Sequence, residues 1–166
     1  GLKVAVVNFV RKNVPFAEKV FRSELEKRSA VLQSIDIPNR VKHSTWENWK
    51  NKHSKDFDVL LIVSYITVAN GSGSIGFSED QREILTQIEA LPCPSVLVSL
   101  GSPYVAASLP EVSTVLLAYG DEEPSVRAAV RILAGEVVAE GRLPVHIPGL
   151  FAYGASMKDI TAETSG

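Results

Sequence analysis

The spacing Gly71-x-Gly73-x-x-Gly76 matches a glycine pattern that can cradle phosphates. That pattern binds a dinucleotide when it forms the tight turn straight after the first strand of a βαβ unit. Here it follows the third apolar run, behind a detour from Ile66 to Asn70, and Glu79 and Asp80 stand where an anion would dock. The stretch therefore reads as a loop that needs glycine's backbone freedom. Ser99-Leu100-Gly101-Ser102-Pro103 raises a second possibility, a serine nucleophile at a strand end. Such a nucleophile needs a histidine base oriented by an acid. Of the three histidines, His43 and His53 flank a polar helix and are expected to face solvent. His146 alternates with Val145 and Ile147 and points away from them. No two histidines stand at i, i+4, so no metal site is expected. Cys93, the single cysteine, sits between Pro92 and Pro94 with no histidine or basic neighbour to lower its pKa, and reads as structural. Neither a G-x-G-K-[ST] phosphate loop nor a G-x-S-x-G elbow occurs. Trp46 and Trp49, at i, i+3, share a helix face. They form either a platform for a sugar or partner, or part of the core, and the core is the favoured reading. No catalytic residue and no cofactor is expected in the chain.

The elements that would position these residues alternate. KVAVVNF (Lys3 to Phe9) is a nearly continuous apolar run, the mark of a strand buried on both faces. A helix is predicted from about Val14 to Arg28, with Asn13 as its cap and Pro15 in its first turn. A second strand is predicted at Val31 to Ile37, and a short helix behind the Ser44-x-x-Glu47 capping-box pattern. FDVLLIVSY (Phe57 to Tyr65) is the third strand, followed by a polar loop from Ile66 to Phe77. Ser78-x-x-Gln81 opens a helix with Ile84, Leu85 and Ile88 as its buried stripe. Strands follow at Ser95 to Leu100 and Val112 to Tyr119. The last helix is predicted to bury Val126, Ala129, Val130 and Leu133 and to stop at Gly135. Leu143 to Ile147 is extended, and the tail from Ala155 is expected to fray. The pattern predicts an α/β fold: an open, mostly parallel sheet of five to six strands with helices on both faces. That is a flavodoxin-like, three-layer α/β/α domain over residues 1–154, with default strand order 2-1-3-4-5. Sites in such sheets lie at the carboxyl ends of the strands, here the loops after Phe9, Tyr65 and Leu100.

Composition removes several classes. With 17 Lys and Arg against 19 Asp and Glu, the formal charge of −2 gives no general attraction to nucleic acid or an anionic membrane. No apolar run approaches the roughly 20 residues of a membrane span. A single cysteine leaves no internal disulfide, and no segment fixes a compartment. Gly1-Leu2-Lys3 runs straight into the first strand without a Met, so the expectation is a processed chain or a fragment.

The segment from Ser95 to Gly154 carries the most distinctive phrases. They are a strand ending in Gly101-Ser102-Pro103-Tyr104, a strand closing in Ala118-Tyr119-Gly120, the pair Gly135-Glu136, the phrase G-x-LPV-x-x-P from Gly141 to Pro148, and the ending Phe151-Ala152-Tyr153-Gly154. Together these resemble the C-terminal α/β domain of glycoside hydrolase family 3. Before Ser95 the likeness is one of pattern only. The resemblance implies an upstream TIM-like barrel that carries the aspartate nucleophile. It also implies a carbohydrate substrate and an accessory role for this chain. In the β-glucosidase branch, a glutamate of the second domain serves as acid/base. In the β-N-acetylglucosaminidase branch, a histidine of the barrel does. The loop Ile66 to Phe77 holds no acid, which points to the second branch, since a two-carboxylate mechanism needs both carboxyl groups nearby. In its place of a charged residue the chain has Thr67-Val68-Ala69-Asn70. The resemblance makes Asn70, Ser72, Gly73 and Ser74 candidates for a wall beside the substrate. Tyr104, Leu150, Phe151 and Tyr153 become candidates for the face against the barrel. Two alternatives stand beside this reading: the C-terminal domain of a β-glucosidase, and a non-catalytic flavodoxin-like binding or interaction module.

Overall fold

In the computed structural model, residues 2–53, 55–67, 76–109, 111–112 and 114–157 are described. The apolar runs form five strands: β1 (Lys3–Phe9), β2 (Ala30–Ile37), β3 (Val59–Ser64), β4 (Ser95–Ser99) and β5 (Thr114–Leu117). All neighbouring pairs are parallel, in the order β2-β1-β3-β4-β5. Four helices connect them: α1 (Phe16–Glu26), α2 (His43–His53), α3 (Glu79–Glu89) and α4 (Glu123–Leu133). A 3₁₀ turn at Pro103–Ser108 follows β4, with Pro103 pre-set for its first position.

Alternation along the strands makes two cores. Ala5, Val7 and Phe9 pack with α2, α3 and the 3₁₀ turn, whereas Val4, Val6 and Val10 pack with α1 and α4. Both faces of the sheet are thus covered, as a parallel sheet requires. Asn8 breaks the apolar run of β1. It is fully buried, and its amide donates to Ser34 Oγ at 3.2 Å and Asp36 Oδ1 at 2.9 Å. Trp46 is fully buried, donates to Gln87 Oε1 at 2.9 Å and stacks on Trp49 at 5.5 Å, so the tryptophan pair belongs to the core.

The capping box of α3 forms as the sequence predicts. Gln81 N donates to Ser78 Oγ at 3.2 Å, and Ser78 N to Gln81 Oε1 at 3.0 Å. The buried Gln81 does more than cap. Its amide donates to Val10 O at 2.9 Å and Ile37 O at 2.8 Å, tying α3 to the carboxyl ends of β1 and β2. After α4, Gly135 takes φ +72° and ends the helix.

Several expectations need correction. Helix α1 begins at Phe16, with Pro15 as its N-cap and no side-chain cap, so Asn13 does not cap it. Ser44 lies inside α2, one residue past its start, and Glu47 instead accepts from Lys50 Nζ at 2.9 Å. His53 is buried beside Trp49, with rings 5.6 Å apart, and does not face solvent. The third strand is shorter than Phe57 to Tyr65, and the fifth shorter than Val112 to Tyr119. At the start of the tail, Ala155 O accepts from Leu143 N at 2.9 Å, and Ser156 bridges to Arg142. Residues 158–166 lie outside the described residues.

Candidate functional site

The carboxyl edge of the sheet is built by close backbone contact. Ser102 N donates to Ile66 O at 2.8 Å, which brings the turn after β4 against the chain leaving β3. Only glycine at 101 permits this, because a Cβ there would lie 2.2 Å from Ile66 O. Ile66 and Phe77 are both buried, and Phe77 meets Phe9 edge-to-face at 5.1 Å. Arg11, just after β1, donates from Nη2 to Thr67 O. Its Nε is buried without a hydrogen-bond partner among the described residues. Asn70, Ser72, Gly73 and Ser74, the candidates for a wall beside the substrate, lie outside the described residues.

The serines at the end of β4 do structural work. Ser99 is fully buried, and its hydroxyl donates to Ser102 O at 2.9 Å. His43 and His53 sit on α2 and the exposed His146 on the closing segment, and among the described residues no imidazole hydrogen-bonds Ser99. Cys93 is half-buried, and burial pushes its thiol up, away from the reactive thiolate. Asp80 Oδ2 accepts from Val41 N at 3.1 Å, so the acid that opens α3 serves the turn before α2. Among the described residues, no cluster of three or more His, Cys, Asp or Glu could hold a metal.

What the edge does present is aromatic. Tyr104 follows β4 and is 39% exposed; Tyr119 follows β5 and is 42% exposed. Burial, and then the nearby Tyr104, push the Tyr119 phenol up. Tyr119 also holds φ +59°, the only non-glycine residue with positive φ among those described. Of the other face candidates, Leu150 is half-buried against the core shared with α2 and α3. Phe151 is half-buried where it bridges to Ile147, and Tyr153 is 76% exposed. Sequence reasoning named Tyr119 only within the phrase Ala118-Tyr119-Gly120 and did not count it among the face candidates. Phe16, which its i, i+4 spacing from Val20 places on the apolar side of the first helix, is instead 70% exposed at the start of α1.

Strand order and layering define a flavodoxin-like α/β domain, with aromatic side chains rather than an acid–base pair at the described part of its carboxyl edge. No protein-family model and no curated protein sequence matches the chain. Solved structures do. A fungal multi-domain glycoside hydrolase family 3 β-N-acetylglucosaminidase, described as having a GCN5-related glucosamine N-acetyltransferase region, is similar over 93% of this chain and 16% of its own, with a TM-score of 0.70 and 24% identity. A family 3 β-N-acetylglucosaminidase from Paenibacillus sp. str. FPU-7 is similar over 84% of this chain and 26% of its own, with a TM-score of 0.65 and 18% identity. The β-glucoside phosphorylase BglX follows, at 85% and 25%, with a TM-score of 0.60 and 19% identity. The chain thus spans 16% to 26% of the length of these proteins and has the fold of one portion of each.

Proposed function

We propose that this chain is the accessory C-terminal α/β domain of a family 3-like glycoside hydrolase that removes terminal β-linked N-acetylglucosamine from glycans. A TIM-like barrel of the same polypeptide carries the catalytic residues, and this domain packs on it. Asn70, Ser72, Gly73 and Ser74 stand beside the substrate, and Tyr104, Leu150, Phe151 and Tyr153 belong to the face toward the barrel. The observation that carries this reading is the fold likeness over nearly the whole chain to portions of two β-N-acetylglucosaminidases, with TM-scores of 0.70 and 0.65. The test is the full product of the gene that encodes this chain, assayed on aryl N-acetyl-β-glucosaminide and aryl β-glucoside. Preferential turnover of the first is expected. Preference for the glucoside moves the protein to the β-glucosidase reading, and a gene product with no barrel and no glycosidase activity overturns the proposal.

A further inference from the structure

We infer that a polar cluster beneath α1 is a binding site for one water molecule, held between the Tyr65 hydroxyl and Asn8 Oδ1. The site lies inside the domain, on the α1 side of β1 and β3, and does not depend on the accessory-domain reading.

Strand register brings the two groups together. Asn8 pairs with Val63 and Phe9 with Ser64, and Tyr65 N donates to Phe9 O at 3.0 Å. Asn8 and Tyr65 are therefore diagonal neighbours on adjacent strands. Both belong to the alternate set that faces α1, because Val6, Val10 and Val63 of that set pack in the core beneath α1 and α4, as Tyr65 itself does. On the far side of Asn8 lies β2, where Ser34 Oγ and Asp36 Oδ1 accept from the Asn8 amide at 3.2 and 2.9 Å. Helix α1 covers the cluster: Arg22 donates to Glu18 Oε1 at 2.8 Å and to Ser34 Oγ at 2.9 Å.

Two polar atoms of this cluster lack a partner. Asn8 is fully buried and Tyr65 is 6% exposed, yet Asn8 Oδ1 and the Tyr65 hydroxyl make no hydrogen bond among the described residues. Dry, unpaired polar groups are costly, and native interiors rarely keep them. Turning the Asn8 amide over does not help, since its oxygen would then face the Asp36 carboxylate. Burial, and then the charges of Glu18 and Asp36, push the Tyr65 phenol up, so it keeps a proton to donate.

The chemistry of the two groups selects the occupant. It must offer an acceptor to the phenol's proton and a donor to Asn8 Oδ1. Water offers both in the smallest volume. An apolar guest satisfies neither group. A metal cation has nothing to accept the phenol's proton, and an anion would meet the acids Glu18 and Asp36. With water in place, one hydrogen-bonded chain runs from β2 through Asn8 of β1 to Tyr65. Tyr65 directly precedes Ile66, whose carbonyl accepts from Ser102 N in the turn after β4. The water thus fixes the point at which the chain leaves β3.

The test pairs a high-resolution crystal structure of the 166-residue chain with urea denaturation of the chain and its Tyr65→Phe variant. The structure should show one peak of electron density about 2.8 Å from both Tyr65 Oη and Asn8 Oδ1. Removing a hydroxyl that water bridges should lower the folding equilibrium constant about fivefold, whereas removing a dry, unpaired hydroxyl leaves it unchanged or raises it. A constant that is unchanged or higher in the variant overturns the inference. So does a structure with no density between the two groups, or one in which the Tyr65 hydroxyl bonds directly to Asn8, Glu18 or Asp36. A peak with the shorter contacts and the coordination of a metal ion assigns the site to a cation and overturns it as well.

Discussion

The carboxyl rim and the seam between α1 and α4 treat their functional groups in opposite ways. In the seam, the charged groups are paired. Glu24 is buried and accepts from Lys27 Nζ at 2.6 Å, from Arg28 Nη1 at 2.8 Å and from Arg127 Nη1. Arg28 continues to Glu136 at 2.5 Å, and Arg127 to Glu123 at 2.7 Å, so the network joins both helices to the segment after α4. At the rim, aromatic side chains reach solvent and one backbone is strained. A buried charge must find its partners within the fold, since an unpaired one costs several kcal/mol. An exposed aromatic need not, and is left available for another surface. Charge in this domain holds the fold together, and its exposed aromatic rings point outward.

The largest effect expected is at the base of the rim. Gly101→Ala places a methyl 2.2 Å from a backbone oxygen, and should lower stability in urea denaturation by about 3 kcal/mol. A loss below about 0.5 kcal/mol would mean that the turn after β4 is not held against Ile66. Gln81→Leu comes next. It keeps the backbone bond to Ser78 Oγ but removes the side-chain half of the capping box, the Oε1 that accepts from Ser78 N, and both donors to Val10 O and Ile37 O, for a loss of about 2 kcal/mol. In the seam, hydrogen bonds from Lys27 and Arg28, then the charge of Arg127, lower the Glu24 pKa from 4.5 to about 2. The folded value lies below the unfolded one, so the seam's contribution is complete above about pH 4.5 and fades as the pH falls toward 2. Urea midpoints measured across that window should fall more steeply for the wild type than for Glu24→Gln. Parallel curves would show that the seam is not the acid-sensitive part. The smallest effect belongs to the rim. Tyr119→Gly relieves the left-handed strain and should leave stability unchanged or raise it by about 1 kcal/mol or less. A clear loss would mean that the ring packs within its own domain.

The layers were legible in the sequence because they rest on periodicity. KVAVVNF and VLLIVS could only be buried strands, and Ser78 with Gln81 could only open a helix there. What was not legible depends on contacts distant in sequence. His53 looks solvent-facing in a polar helix, but Trp49 and Phe57 build an aromatic stack around the end of α2. Ser44-x-x-Glu47 carries the letters of a capping box, yet α2 starts at His43, and Glu47 is held by Lys50. Asn8 hides within an apolar run because its partners Ser34 and Asp36 belong to β2. At the rim, the phrase Gly101 to Tyr104 was legible as the break after the fourth strand, where the 3₁₀ turn begins at Pro103. The phrase Ala118-Tyr119-Gly120 did not reveal that Tyr119, rather than Gly120, takes the left-handed turn. Packing does not compel glycine at 120: a Cβ there would lie 2.3 Å from Glu122 Oε2, the far end of an exposed side chain that can swing aside.

The accessory role is tested most directly by comparing purified residues 1–166 with the full gene product on an aryl N-acetyl-β-glucosaminide. The account predicts turnover by the full product and none by residues 1–166 alone. Turnover by residues 1–166, abolished by a substitution within them, would contradict it.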